Sequence, residues 1–600
     1  VGYNYGTVTA SYYDTTTTGQ ADNTGKGEPK TTAQMKQQAT FEGWNYASVW
    51  IIDEGDSYPT LYPFYPYGGY IIPIYSIQQL QMIGNDPYYP IDGSYILMND
   101  IDAYPTKFWN PIQGDGYEYI VGENDYYFGF RPIGTLVLYD HDDPYGNYSE
   151  GGIDEENSVF FSGVLDGNGY SINNLYMMDA KYIALFYGNE GIIRNLKLVN
   201  NINIGLTNIS SICLINSGSI KNCHCINSQL YGSAFVSGFT STNRSEIYDC
   251  SFKGSISGVD ETFNMLDIVS GFVFQNVGEN SIIENCSCNI DILTAPNGPV
   301  AGFCLLSVLS EIKKSYCCCN FYNNIGNSSM TVSDPMMLYS SGFIAMCYLS
   351  NVEECFSFGN INGNYRLGGF IGLARGSTIN NCFSNCNITK MDIMDDNALF
   401  GGFICSCTYL NLDGEYFYGS IDNCYSVGFV DDINDGDKQS GGFIGSYEFD
   451  DYDYDYSREL VQNSYWDIET TDHNISAGLG EEGLTTFEMK YSGVYNGWDF
   501  DTIWISHNYN YYPSLRFPRY TLSEKGWFEI SNGELQELGY LYDFNESDVL
   551  ETHALNIDNH KLCYIFNPSE ILKPYIYVNE QTGSAYVGQF LLSYNIDIED

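Results

Sequence analysis

Eighteen cysteines and six histidines are the residues of this chain best suited to metal or redox chemistry, and they are unevenly placed. Seventeen of the 18 cysteines fall between Cys213 and Cys424. Cys223/Cys225, Cys286/Cys288, Cys405/Cys407 and Cys317-Cys318-Cys319 set thiols close together. Zinc sites favour Cys-x2-4-Cys pairs, and in a strand a Cys-x-Cys pair points both thiols to one face, here into the core. Three readings are open: a column of buried thiols acting as small hydrophobes, disulfides between neighbouring repeats, or a metal site. Ser315 and Ser464 stand where other repeats have cysteine. A small-residue packing slot tolerates that exchange and a paired disulfide does not.

The other reactive types give less. The histidines (His141, His224, His473, His507, His553 and His560) contain no His-Glu-x-x-His pair, which a zinc peptidase needs to place two imidazoles one helical turn apart beside a glutamate base. There is no Gly-x-Ser-x-Gly elbow and no phosphate-cradling Gly-Lys-Ser/Thr loop. Paired carboxylates about 5 to 9.5 Å apart would suit glycoside hydrolysis, but with 75 acidic residues many pairs fall at that separation by chance, so no catalytic residue is assigned. The clusters Asp140-His141-Asp142-Asp143 and Asp450 to Asp455 offer oxygen ligands for Ca2+. Neither has the spacing of an EF-hand or a nonapeptide Ca2+ repeat, and solvated loops are the simpler reading. No cofactor is expected.

What positions these residues is a repeat. Gly-Phe recurs at Gly238-Phe239, Gly271-Phe272, Gly302-Phe303, Gly342-Phe343, Gly369-Phe370, Gly402-Phe403 and Gly442-Phe443. Ile-x-Asn-Cys, or a close variant, follows at Ile220 to Cys223, Ile247 to Cys250, Ile283 to Cys286, Ile379 to Cys382 and Ile421 to Cys424. The two marks lie 11 to 14 residues apart in five repeats and 21 apart in the last two, where acidic, Tyr-rich insertions intervene. Fixed chemistry at the marks and variable length between them describe a coil with inserted loops. A period of two sets Ile220, Asn222 and His224 against Lys221, Cys223 and Cys225, a strand with one face inward. The glycine before Phe suits a close backbone approach, and the Asn beside Cys suits a side-chain ladder or a turn cap. Stacked coils spaced by about 4.8 Å predict an all-β, parallel β-helical solenoid with short capping helices and a small C-terminal β-rich domain.

Both ends carry further signals. Ser76 to Ile83 reads as a short helix with a Ser-x-x-Gln capping box, and Asp166-Gly167-Asn168-Gly169 as a tight turn between strands. After the last coil come Ser464-Tyr465-Trp466-Asp467, a second box at Thr485 to Glu488, Gly497-Trp498 and Tyr512-Pro513-Ser514-Leu515. The same order opens the chain: Ser11-Tyr12-Tyr13-Asp14, Thr31 to Gln34, Gly43-Trp44 and Tyr58-Pro59-Thr60-Leu61, with Trp44 to Trp498 displaced by 454 residues. Residues 1–63 are thus expected to be the end of a preceding rod, 64–175 an N-terminal cap with the first coils, 176–520 the rod body with its end cap, and 521–600 a separate β-rich domain.

Composition narrows the partners. Against 75 acidic residues stand 24 basic ones, a net charge of −51, so a nucleic-acid backbone or an anionic membrane surface is an improbable partner. Hydrophobic residues make up 44%, with 55 Tyr and 61 Gly, which excludes a disordered acidic tail. No stretch reaches the roughly 18 apolar residues of a membrane span. Eight Asn-x-Ser/Thr sequons (Asn147, Asn208, Asn243, Asn285, Asn327, Asn387, Asn474 and Asn545) matter only in a glycosylating host, and Asn285, on a strand expected to face inward, is the poorest acceptor.

The Asp-Gly-Asn-Gly turn, Gly441-Gly442-Phe443-Ile444-Gly445, Asn423-Cys424-Tyr425-Ser426 and Ser464-Tyr465-Trp466-Asp467 resemble the GLUG-motif family of bacterial and archaeal surface proteins. The resemblance covers roughly residues 76–517 and the duplicated tail at 1–63. It implies a right-handed parallel β-helix in an extracellular, often adhesin-like protein. Some members carry a metallopeptidase domain, whose residues are absent here. The expectation is a non-enzymatic structural or adhesive cell-surface protein built of rods that join end to end. Its partners would be copies of itself, or surface glycans or proteins, with no membrane insertion in this piece. The alternative is a carbohydrate-binding or polysaccharide-cleaving β-helix.

Overall fold

In this computed structural model the repeat marks fall at the corners of a coil. The structure describes residues 8–20, 27–44, 50–51, 58–61, 71–111, 127–137, 155–179, 181–205, 207–232, 234–258, 268–295, 298–323, 339–391, 398–412, 414–431, 440–448, 461–477, 481–507, 509 and 511–516, and six C-terminal strands between 527 and 588. Each coil passes through four strands in turn, for example Tyr182–Ile183, Phe186–Asn189, Ile192–Arg194 and Lys197–Val199. Each of these pairs in parallel with its equivalent one coil on, giving sheets of 8, 9, 12 and 14 strands, termed first to fourth in that order. This is the stacking expected of a β-solenoid. The interior strands satisfy one another's backbone groups, leaving the core to side chains.

That core is built of columns. Phe239, Phe272, Phe303, Phe343, Phe370, Phe403 and Phe443 are each wholly buried. They stack ring on ring at 4.7 to 4.9 Å, matching the strand spacing. The glycine before each Phe has a related cause. A Cβ at Gly238, Gly271, Gly302, Gly342, Gly369 or Gly402 would land inside contact distance of the next coil's glycine carbonyl oxygen.

The Asn before each Cys has another. Asn195, Asn222, Asp249, Asn285, Lys314, Glu354, Asn381, Asn423 and Asn463 all have φ between 44° and 57°, a left-handed conformation that Asn tolerates better than most residues. They turn the chain from the third sheet into the fourth. This corrects the period-two expectation, which put Ile220 and Cys223 on opposite faces. The left-handed residue reverses the phase, and Ile220, Cys223 and Cys225 are all buried in the same core. The ladder expectation holds in part: Asn222 donates to Asn195 Oδ1 at 2.8 Å. A deeper ladder was not anticipated. Asn189, Asn216, Asn243 and Asn276, fully buried on the second sheet, join amide to amide at 2.8 Å each.

The proposed boxes differ in detail. Thr485 and Glu488 cap the helix Thr486–Met489 reciprocally. Ser76 caps Ile77–Met82, but Gln79 returns its bond to the Tyr75 N–H, not to Ser76. The segment after the last coil does not stay at the rod's end. Glu481–Leu484 extends the fourth sheet by one strand, and the described residues of 485–516 then fold back along the outside of that sheet. Trp498, Trp504 and Tyr512 pack on the outward rings of Phe383, Tyr425 and Tyr465. The C-terminal strands are antiparallel: a hairpin, Trp527–Ser531 with Glu534–Leu538, and a four-stranded sheet, Glu551–Ile557, His560–Phe566, Tyr575–Asn579 and Ser584–Gly588.

Candidate functional site

Six cysteines, Cys223, Cys250, Cys286, Cys355, Cys382 and Cys424, form a structural column, with hydrogen bonds that explain its composition. Cys250 donates its thiol to the Tyr248 carbonyl at 3.1 Å and accepts the Cys223 N–H at 3.4 Å. Cys382 does the same with the Asn380 carbonyl and the Cys355 N–H, at 3.1 and 3.4 Å. Ser315 makes the matching pair, to Lys313 at 2.7 Å and from Cys286 at 3.1 Å. So does Ser464, to Gln462 at 2.9 Å and from Cys424 at 3.2 Å. The slot needs a small donor-acceptor, and either residue supplies one.

All seventeen cysteines from Cys213 to Cys424 are free thiols, and Cys407 alone among them is half-buried rather than buried. Burial pushes Cys213 and Cys347 up to about 12 and raises Cys223, Cys250, Cys317 and Cys382 further, so these thiols stay protonated and unreactive. Among the described residues no three His, Cys, Asp or Glu side chains converge as a metal site would require. Two Cys-x-Cys pairs and Cys317/Cys319 point inward as expected. Cys405/Cys407 do not share a face: Cys405 lies in an outer apolar cluster and Cys407 against the core. A thiol reagent is therefore expected to titrate about one described cysteine rapidly in the native chain and all 18 after denaturation without reductant. Fewer after denaturation would reveal disulfides. Cys382→Ser should cost under about 1 kcal/mol because both bonds survive, and Cys382→Val about 2 because both are lost.

The histidines are dispersed. His224 heads the outward column of the fourth sheet, bonded to Ser251 Oγ at 2.8 Å and Asn222 Oδ1 at 3.0 Å. Burial, aided by Lys197, holds its imidazole down at about 4. His507 is likewise lowered to about 4 by burial and meets Ser514 Oγ at 2.8 Å. His473 bonds the Val430 carbonyl at 3.0 Å. His141 and the side chains of His553 and His560 lie outside the described residues.

A histidine with a depressed folded pKa stabilises the fold above its unfolded value of about 6.5 and loses that contribution as pH falls to the folded value. Acid also relieves the repulsion of the carboxylates, so the comparison must be differential. The stability lost by the native chain between pH 6.5 and 4 should exceed that lost by His224→Gln by about 3 kcal/mol in urea titrations. Equal losses would sink the assignment.

The acidic clusters at 140–143 and 450–455 lie outside the described residues, as do Asn147, Asn327 and Asn545. Asn285 is not on an inward strand. It sits at the left-handed corner and donates to Asp249. The poorest acceptor is instead Asn243, fully buried in the inner ladder, while Asn387 and Asn474 are exposed. Basic residues on the third sheet are paired within it: Arg194 to Asp166 at 2.8 Å, Lys221 to Glu246 at 3.2 Å, and Lys313 to Glu311 at 2.7 Å.

Exposed aromatic groups are the features that sequence reading passed over. Tyr509 stacks between Phe487 and Tyr491 at 5.3 and 4.9 Å, with Phe487 68% exposed. Tyr409, Tyr416 and Tyr418 cluster about the hairpin Leu410–Leu412 and Glu415–Phe417 at 5.1 to 6.3 Å. Tyr104 and Phe108 meet at 5.8 Å. A cleft of about 370 Å3 near the first coils is lined by Asn85, Asp86, Pro90, Thr135 and Val159, with Asp86 the one carboxylate among its described lining residues.

No family model matches the chain. A segment of 60 residues, 10% of the chain, is 53% identical to a protein of Evansella cellulosilytica described as "Putative Gly-rich membrane protein". The chain spans 7% of the length of that curated relative. Among solved structures, one titled as a "putative immunoglobulin A1 protease" from Bacteroides ovatus aligns over 75% of this chain and 93% of its own, at 14% identity and a TM-score of 0.26. No helix of the described residues is long and apolar enough to cross a membrane.

Proposed function

We propose that this chain is a non-enzymatic structural or adhesive element of a cell surface. It is a right-handed parallel β-helix of the GLUG-like repeat type, right-handed because parallel crossover connections almost always are. One observation carries the reading: the side chains fixed by the repeat are consumed in construction. The Phe column, the Cys/Ser column and the left-handed Asn corners fill, brace and turn the coil. Nothing in them faces a substrate. What varies from coil to coil is the inserted loops, and it is these that meet a partner.

The exposed rings of Phe487, Tyr491 and Tyr509, and of Tyr416 beside the half-buried Tyr409 and Tyr418, favour glycans as one partner class, since aromatic faces and edges can pack on sugar C–H groups. A glycan array paired with a reducing-sugar assay on polysaccharides tests both readings. Binding without cleavage supports an adhesive rod. Release of reducing ends would overturn it in favour of a polysaccharide-cleaving enzyme.

A further inference from the structure

The described residues of 8–61 repeat the pairing, helix cap and several hydrogen bonds of the rod's closing module, without, among the described residues, the strands that the closing module covers. Tyr12–Asp14 pairs in parallel with Glu28–Lys30 as Ser464–Asp467 pairs with Glu481–Leu484. Thr31 and Gln34 cap Thr32–Met35 reciprocally, as Thr485 and Glu488 cap their helix. Asp14 accepts the Thr16 and Thr17 N–H groups at 2.7 and 3.1 Å and the Tyr58 hydroxyl at 2.6 Å. Asp467 accepts those of Glu469 and Thr470 at 2.9 and 3.1 Å and the Tyr512 hydroxyl at 2.6 Å. The Trp44 indole donates to the Ala10 carbonyl at 2.7 Å and Trp498 to that of Asn463 at 2.8 Å, each from a left-handed residue. Trp44 and Trp50 lie 4.1 Å apart, Trp498 and Trp504 4.3 Å.

The two copies differ in what lies beneath them. Trp504, Trp498 and Tyr512 are 0%, 7% and 4% exposed because they cover Phe383, Tyr425 and Tyr465. Their counterparts Trp50 and Trp44 are half-buried, and Tyr58 is 38% exposed. Ser464–Asp467 pairs on its other side with Tyr425–Ser426, whereas the strand Tyr12–Asp14 belongs to a two-stranded sheet. A module that keeps this internal geometry with its tryptophans half-covered is shaped for the surface its twin occupies.

We infer that the module 8–61 docks onto the closing coils of another solenoid of this repeat type. A parallel strand like Tyr425–Ser426 adds to the edge of Tyr12–Asp14, and an outward aromatic column like Phe383/Tyr425 fills the space under Trp44 and Trp50. A sugar could cover the tryptophans but would leave the strand edge unmatched. The inference rests on reading the chain as one element of an assembly of rods. It places the joint on the end strand of a rod's fourth sheet and on the outward aromatic face beside that strand.

The probe is a second copy of the full chain whose own seat has been opened by Trp498→Ala and Trp504→Ala, with Tyr465→Pro to remove the N–H that bonds its own closing strand to the Cys424 carbonyl. Sedimentation velocity is expected to show that the opened chain associates into dimers and longer species. Adding Trp44→Ala and Trp50→Ala should return it to monomer. If the opened chain loses its β signature in circular dichroism, the milder pair Trp504→Leu and Tyr512→Phe opens the seat instead. Association that survives Trp44→Ala and Trp50→Ala, or an opened and folded chain that stays monomeric, would overturn the docking. Neither result bears on the glycan array, so this inference and the adhesive reading fail separately.

Discussion

Phe343→Ala is expected to remove about 4 kcal/mol of stability, the upper range for a buried aromatic truncated to alanine. The ring is wholly buried and stacked between Phe303 at 4.7 Å and Phe370 at 4.8 Å. Truncation forfeits transfer free energy, leaves a cavity in a core flanked by rigid sheets, and breaks two stacking contacts worth about 0.5 to 1.5 kcal/mol each. Because each coil touches only its neighbours, the loss concentrates at the interfaces with the coils above and below. Hydrogen exchange should therefore quicken around Phe303 to Phe370 before it does at Phe186 or Phe443. Phe343→Leu should cost roughly half as much, and Phe487→Ala, at an exposed ring, under about 0.5 kcal/mol. A loss below 1 kcal/mol for Phe343→Ala in urea titrations would mean that the column does not hold the rod.

Gly302→Ala is expected to be nearly as damaging although it adds one methyl group. That methyl would meet the Gly342 carbonyl oxygen and the thiols of Cys319 and Cys317. Side chains can swing away, but a backbone carbonyl held in the adjoining coil cannot. The two coils must separate locally, with a cost of about 3 kcal/mol or more, the range of severe overpacking. Gly414→Ala makes the control: it too is glycine in the chain, but a Cβ there meets nothing within 4 Å, and its cost is confined to a positive φ of 90°. Equal losses at the two positions would mean that contact between coils adds nothing to the cost at Gly302.

Repetition made the architecture readable. Seven Gly-Phe marks and the Ile-x-Asn-Cys marks located the corners, and variable spacing located the loops. The inward phase of the strands was misread because a period of two assumes an uninterrupted strand. One left-handed residue at Asn222 resets the alternation, and nothing in binary patterning marks it except Asn itself. The inner Asn189–Asn276 ladder was missed for a related reason. Binary patterning gives no signal for buried polar residues, yet amides that satisfy each other coil to coil can be buried at little cost.

The closing module was recognised from its duplicated residues, but its place was not. Its position depends on the aromatic residue directly after Asn-Cys, Phe383 and Tyr425, which the repeat phrase contains and which reads as one more core residue until the faces are assigned. The candidate surfaces were least legible. Tyr509 reaches Phe487 and Tyr491, which lie on and just after one short helix, from a later segment, and local sequence does not encode that proximity.

The central claim is that repeats of unequal length stack in register. Distances between spin labels on the outward positions of the third sheet test it most directly, with each label carried by a noncanonical amino acid so that the native thiols are spared. Ser219 and Ser420 are joined through Glu246, Ile282, Glu311, Asn351 and Thr378. Six steps at about 4.8 Å predict a sharp distance near 29 Å, and five steps from Ser219 to Thr378 predict about 24 Å. The increment should be one strand spacing per coil, whether a coil contributes 27 residues, as from Ser219 to Glu246, or 42, as from Thr378 to Ser420. Distances that grow with the number of intervening residues, or broad distributions without a peak, would contradict it.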